Sequence, residues 1–158
     1  MNIEEICDVL DRGGLVISPT DTVYGIMGDA TNDDVVLKLY EVKKRAYNKP
    51  LILLMDSYEM IKRYTSDISD IEDSFIREFM PGLVTIILKK NDKVSDLITA
   101  GSDSVGIRIP DNADLIKIIK KLGRPVFSTS ANVSEEEVIT NIKTVSYTHL
   151  TLPTMAVV

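Results

Sequence analysis

Short apolar runs alternate with helical stripes along this chain, and that alternation restricts the fold more than any other feature. Leu15-Val16-Ile17, Leu51 to Met55, Leu83 to Leu88, Val105 to Ile109 and Pro125 to Ser128 read as strands. Gly, Pro or polar residues bound these runs, which are too short for helices. Between them lie apolar residues at helical spacing. Ile3, Ile6, Cys7, Val9 and Leu10 form one stripe, ended by Gly13-Gly14. A second helix starts near Asp33, carries Val35, Val36, Leu39 and Tyr40 on one face, and ends in a basic stretch that Pro50 closes. Tyr58 to Tyr64 is a third helical pattern, and a fourth brings Ile71, Phe75, Ile76 and Phe79 together before Pro81-Gly82. Leu115 to Leu122 builds a further helix, ended by Gly123, and Ser134-x-x-Glu137 has the spacing of a capping box that opens a last one.

Interleaved helices and about five strands, with no repeat or low-complexity linker, predict a single α/β domain over residues 1–145. Residues 146–158 carry neither a helical stripe nor strand alternation and read as an irregular tail, non-native in origin. The single histidine, His149, falls there and is given no chemical role.

Charge narrows the function. With 18 Lys+Arg against 24 Asp+Glu the formal charge is -6, whereas a protein that coats phosphate backbones carries excess positive charge. The one cysteine, Cys7, lies on the apolar face of the first helix and reads as a small core residue. One histidine leaves no room for a His-based triad or a His-rich metal site, and no residue is assigned to a metal. The acidic N-terminal segment is unlike a signal peptide and no run approaches the ~20 apolar residues of a membrane span, so a cytoplasmic setting is expected.

Four loops beside strand ends, where open α/β sheets bind ligands, carry the candidate chemistry. Ser18-Pro19-Thr20-Asp21-Thr22-Val23-Tyr24-Gly25 offers hydroxyls and a carboxylate to a small polar ligand, or equally forms a locally bonded turn. Lys43-Lys44-Arg45 with Lys49 places four cations in seven residues, which suits a nucleotide triphosphate or the negative end of a helix. Both Lys43 and Arg45 are expected in an exposed loop. Arg108, between apolar strand residues, needs an anion from a ligand or a structural carboxylate, and Thr99-Ala100-Gly101 adds a hydroxyl and a turn nearby. Ser128-Thr129-Ser130-Ala131-Asn132-Val133-Ser134 suits an anion cradle or simple capping. Neither a P-loop nor a GxGxxG is present, and no nucleophile stands with a base, so such a site would act by positioning and charge stabilisation.

In this order, Pro19-Thr20-Asp21-Thr22-Val23-Tyr24-Gly25, Lys43-x-Arg45 with Lys49-Pro50-Leu51, Pro81-Gly82-x-x-Thr85, Thr99-Ala100-Gly101, Val105 to Pro110 and Ser130-Ala131-Asn132 resemble the YrdC-like threonylcarbamoyl-AMP synthase family over about residues 1–145. The resemblance implies a YrdC/RibB-like twisted mixed sheet flanked by helices, with a large concave, positively lined cavity. It implies an enzyme, a nucleotidyltransferase, that joins L-threonine, bicarbonate (or CO2) and ATP into threonylcarbamoyl-AMP and releases pyrophosphate, with Mg²⁺ carried by the ATP. The product serves threonylcarbamoyladenosine modification of tRNA position 37 by a separate complex. Carried over by motif, Thr20 contacts threonine, and Lys43 and Arg45 hold carbamate and phosphates as the catalytic pair. Ser130 and Asn132 bind nucleotide, while Lys49, Thr99, Arg108 and Ser128 are further substrate contacts. The alternatives are an RNA-binding module with weak affinity, against which the charge of -6 argues, and an inactive truncated paralogue.

Departures from the family pattern are Ala46 after Lys-x-Arg, Leu83-Val84 after Pro81-Gly82, Thr129 where Pro commonly precedes Ser-Ala-Asn, and Glu135 in place of Gly. Family members also continue with a Ser-Thr and an Arg-Pro-Gly segment that have no match after Lys143.

Overall fold

The computed structural model describes residues 2–20 and 24–131, together with the backbone of 155–157. Helix α1 (Ile3–Asp11) starts where the Asn2 side chain accepts from the Glu4 amide at 3.1 Å. β1 (Leu15–Pro19) follows and pairs antiparallel with β2 (Tyr24–Asp29), in the register Ser18 to Gly25. β2 was not expected as a strand. Its Tyr24-Gly25-Ile26-Met27-Gly28-Asp29 has two glycines and no alternation, and pairing on both sides decides its conformation.

α2 (Asp33–Lys43) is capped by Asn32 rather than by Asp33. β3 (Ile52–Leu54), α3 (Tyr58–Tyr64), α4 (Asp70–Phe79), β4 (Ile86–Lys89), α5 (Asp96–Thr99), β5 (Ser104–Arg108), α6 (Ala113–Leu122) and β6 (Val126–Ser130) complete the main body, and Met155–Val157 (β7) pairs parallel with β1. The order across the sheet is β4-β5-β3-β6-β2-β1-β7, with β3–β5 parallel and the β4–β5, β3–β6, β6–β2 and β2–β1 pairs antiparallel. This is one mixed α/β sheet flanked by helices. The strand read at Leu83 to Leu88 begins only at Ile86, since Arg108 and Ile109 hold the preceding turn to the end of β5. A capping box does form, but by Ser69 and Glu72 at the start of α4; Ser134 and Glu137 lie outside the described residues.

Burial differs along the sheet. Leu15, Val16 and Ile17 are all buried, so both faces of β1 are covered, as a continuous apolar run requires. At the other edge Leu88 is buried while Ile87 is 70% exposed. The register sets Ile87 opposite Gly106, Gly106 opposite Ile52 and Ile52 opposite Ser128, so these four share one sheet face. That face carries the candidate site. Cys7 is buried, its Sγ 3.9 Å from the carbonyl of Ile118, in the contact between α1 and α6.

Candidate functional site

Over the row Ile87–Gly106–Ile52 lies a cleft of about 320 Å³, lined among others by Pro50, Thr85, Thr99, Ser102 and Ser104. Gly106 keeps its floor flat, because a Cβ there would come within 3.2 Å of Ile52 Cγ2 and 3.4 Å of Thr85 Cγ2. Thr99 ends α5, buried, with its hydroxyl donating to the Ser102 carbonyl at 2.8 Å. Thr99 therefore lines the cleft, while its proton holds the turn beside it.

The cations reach this region from the end of α2. Lys44 takes a left-handed conformation (φ 48°), and the Arg45 amide turns back onto the Tyr40 carbonyl at 2.9 Å. This reversal sends the two flanking side chains different ways. Arg45, half-buried, donates from Nε to the Lys49 carbonyl (3.3 Å) and from Nη2 to the Pro50 carbonyl (2.9 Å). It braces the loop whose Pro50 lines the cleft. The Tyr40 hydroxyl supports the same loop, 2.8 Å from the Lys49 carbonyl and 3.1 Å from that of Leu97. Lys49 is half-buried in this loop.

Lys43 departs from expectation. It is 1% exposed, in the last turn of α2 and not in an exposed loop. Its Nζ donates to Thr129 Oγ1 at 3.1 Å and to the Ser130 carbonyl at 2.5 Å. The helix geometry explains the correction: Leu39, Tyr40 and Lys43 lie on one face, so the buried stripe carries the lysine inward with it. Burial, aided by the charge of Arg45, pushes the ammonium down from its usual value of 10.5 to about 8.

Thr20 and Ser128 meet at Gly25. A Cβ at Gly25 would lie 3.0 Å from Thr20 Cγ2 and 3.1 Å from Ser128 Oγ, so only glycine lets both side chains close there undisturbed. Ser130 registers directly opposite Gly25, which brings the Lys43–Ser130 contact beside the same spot. Arg108, at the end of the strand that holds Gly106, donates from Nε to the Gly82 carbonyl at 2.9 Å, and the Gly82 amide returns a bond to the Ile109 carbonyl at 3.0 Å. A backbone oxygen thus supplies one partner where a carboxylate or ligand was expected. Asn132 lies outside the described residues, as do Asp21, Thr22 and Val23.

Sequence reasoning placed Thr129 in the hydroxyl run of β6 without a role of its own, and missed Tyr40 as part of this arrangement. For Thr129 a signal existed: on a strand holding Ser128 and Ser130 on one face, it must point to the other, toward α2. Tyr40 left no signal beyond its place on the buried stripe. Among the described residues no helix is long and apolar enough to cross a membrane, and no three His, Cys, Asp or Glu stand together as a metal set.

Hydroxyls and cations gathered at the strand ends of a mixed α/β sheet make a candidate site for small polar or anionic ligands. The chain belongs to the Sua5/YciO/YrdC family, whose model, described as telomere recombination, matches residues 8–151. A relative from Methanocaldococcus jannaschii is 39% identical over 132 residues, 83% of this chain and 60% of its own length. The threonylcarbamoyl-AMP synthase of Pyrococcus abyssi is 34% identical over 123 residues, 78% of this chain and 36% of that protein. The crystal structure of P. abyssi Sua5 complexed with L-threonine superposes with a TM-score of 0.88 at 31% identity, covering 92% of this chain and 43% of that one. The chain thus spans less than two thirds of either curated relative.

Proposed function

We propose that this chain carries the catalytic site of a threonylcarbamoyl-AMP synthase, forming that product from L-threonine, bicarbonate or CO2 and ATP in the cytoplasm. The observation that carries this reading is the contact between Lys43 and the Ser130 carbonyl. It joins the Lys-x-Arg and Ser-x-Asn motifs at one point, beside the place where Thr20 and Ser128 close around Gly25. The likeness to a Sua5 crystallised with L-threonine supports a threonine subsite there.

In this reading the threonine amine bonds to the carbon of CO2 and loses a proton, giving a carbamate. A carbamate oxygen then bonds to the α-phosphorus of ATP as the bond to the pyrophosphate oxygen breaks. Thr20 and Ser128 hold threonine, with Thr99 at the edge of the cleft. Lys43, charged below about pH 8, and Arg45 offset the negative charge that gathers on the phosphate oxygens. Lys49 adds a third cation to Lys43 and Arg45, and Ser130 and Asn132 receive the nucleotide. Arg108 holds the 80–85 turn against the cleft. Mg²⁺ enters as part of the MgATP substrate, and a separate tRNA-modifying complex takes the product.

Pyrophosphate release from MgATP, with L-threonine and bicarbonate omitted in turn, tests the proposal. Release is expected only when both are present, and Lys43→Ala is expected to lower it by about 10²–10³-fold. Release that ignores threonine, or full activity without the Lys43 ammonium, would reject the reading.

A further inference from the structure

The Lys43 ammonium is held by two oxygens of β6, and one of them belongs to a residue outside every motif on which the function rests. Thr129 Oγ1 accepts from Nζ at 3.1 Å; the Ser130 carbonyl accepts at 2.5 Å. We infer that Thr129 is a positioning residue for Lys43, its hydroxyl fixing the ammonium at the C-terminal end of β6 so that the charge is presented to an anionic substrate oxygen. This rests on the reading of Lys43 as the cation that meets carbamate or phosphate.

Three features support it. An ammonium has three donors, and among the described residues two are committed to β6, which orients the third without using a flexible partner. β6 sits mid-sheet between β2 and β3, so Thr129 is anchored within the sheet and its oxygen is a fixed reference point. Finally, a buried cation is costly unless oxygens compensate it, and Lys43 is nearly fully buried with Arg45 close by.

Removing Oγ1 withdraws a hydrogen bond from the charged form, so the ammonium must lose its proton at lower pH. Around Lys43, the charged neighbour on its own segment is Arg45. The strand β2, packed on α2, carries Tyr24 and Asp29, the latter held by Arg124 at 2.7 Å. α5 carries Asp96, paired with Lys90 at 3.0 Å. Thr129→Val leaves all of these in place and keeps the side-chain volume. Thr129→Ser keeps the hydroxyl.

The test is the titration of Lys43, followed by NMR in the full chain labelled with ¹³C-lysine and assigned by Lys43→Met, with the pH profile of pyrophosphate release recorded in parallel. Thr129→Val is expected to move the Lys43 midpoint down by about one pH unit, and the alkaline limb of activity with it, while Thr129→Ser restores both. A midpoint unchanged in Thr129→Val, or one shifted equally in Thr129→Ser, overturns the inference. If wild-type protein releases no pyrophosphate, the synthase reading fails and with it the role at a substrate oxygen. The titration still decides separately whether Thr129 sets the state of Lys43.

Discussion

The last turn of α2 buries a lysine ammonium, whereas α4 leaves Ile71 82% exposed and two phenylalanines partly in solvent. Both helices were legible as amphipathic stripes, and each departs from the simplest reading of its stripe in the opposite sense. At α2 the stripe draws Lys43 inward, where oxygens of Thr129 and Ser130, distant in sequence, receive it. At α4 the core takes only Ile76, and Phe75 and Phe79 shield one another with ring centroids 4.6 Å apart. The energetic stakes differ as well. An exposed apolar side chain merely forgoes burial, while a buried charge loses its hydration and must be compensated. Placement of Lys43 therefore has to be built into the fold, and that of Ile71 does not.

The largest effect that would sharpen this contrast is a pH dependence of stability. Lys43 titrates near 8 in the folded chain against 10.5 when unfolded, so between those values the unfolded state binds more protons. Stability then rises with pH through this window, and the cost of the buried charge is present in full below it. Lys43→Met cannot titrate. Its stability relative to wild type is expected to fall by about 3 kcal/mol from pH 8 to 10.5, as read by urea denaturation at several pH values. A difference that stays flat would mean that Lys43 is hydrated in solution, and the contrast with α4 would lose one of its sides.

The same two regions show how much of the fold was legible in the sequence. Periodicity identified α1, α2, α3, α4 and α6, because a helical stripe is a local property of the chain. It could not say which stripe finds a partner: α6 buries Leu115, Ile118 and Ile119 with the same kind of pattern that α4 exposes. β2 was missed because its glycines serve contacts across the sheet and carry no strand propensity of their own. At the site, motif resemblance named Lys43, Ser130, Thr20 and Ser128, and the fold brings them together in two adjoining contacts. The burial of Lys43 and the part of Thr129 depend on which strand lies beneath α2. That is set by sheet order, which no local pattern encodes.

A smaller effect is expected at Gly25, where the site tolerates little added bulk. In Gly25→Ala the new methyl would press on Thr20 Cγ2 and Ser128 Oγ, both side-chain atoms able to yield by a few tenths of an ångström. A loss of about 1–2 kcal/mol in stability is expected from this crowding. Threonine affinity, measured by calorimetry, should fall more sharply, because the two side chains that move are those assigned to the amino acid. Weaker folding with unchanged threonine binding would place that subsite elsewhere on the sheet.

The smallest effect belongs to α4. Ile71 lies in its first turn, already in water, and Ser is close to Ile in helix propensity, so Ile71→Ser removes little that folding had gained. The stability change is expected within about 0.5 kcal/mol, as for a surface position away from caps and core. The capping box of Ser69 and Glu72 is untouched by the substitution, which keeps the start of the helix the same in both proteins. Urea midpoints of the two proteins should therefore coincide. A large loss would show that the stripe is covered in solution, and α4 would then obey the burial rule that its exposed face now breaks.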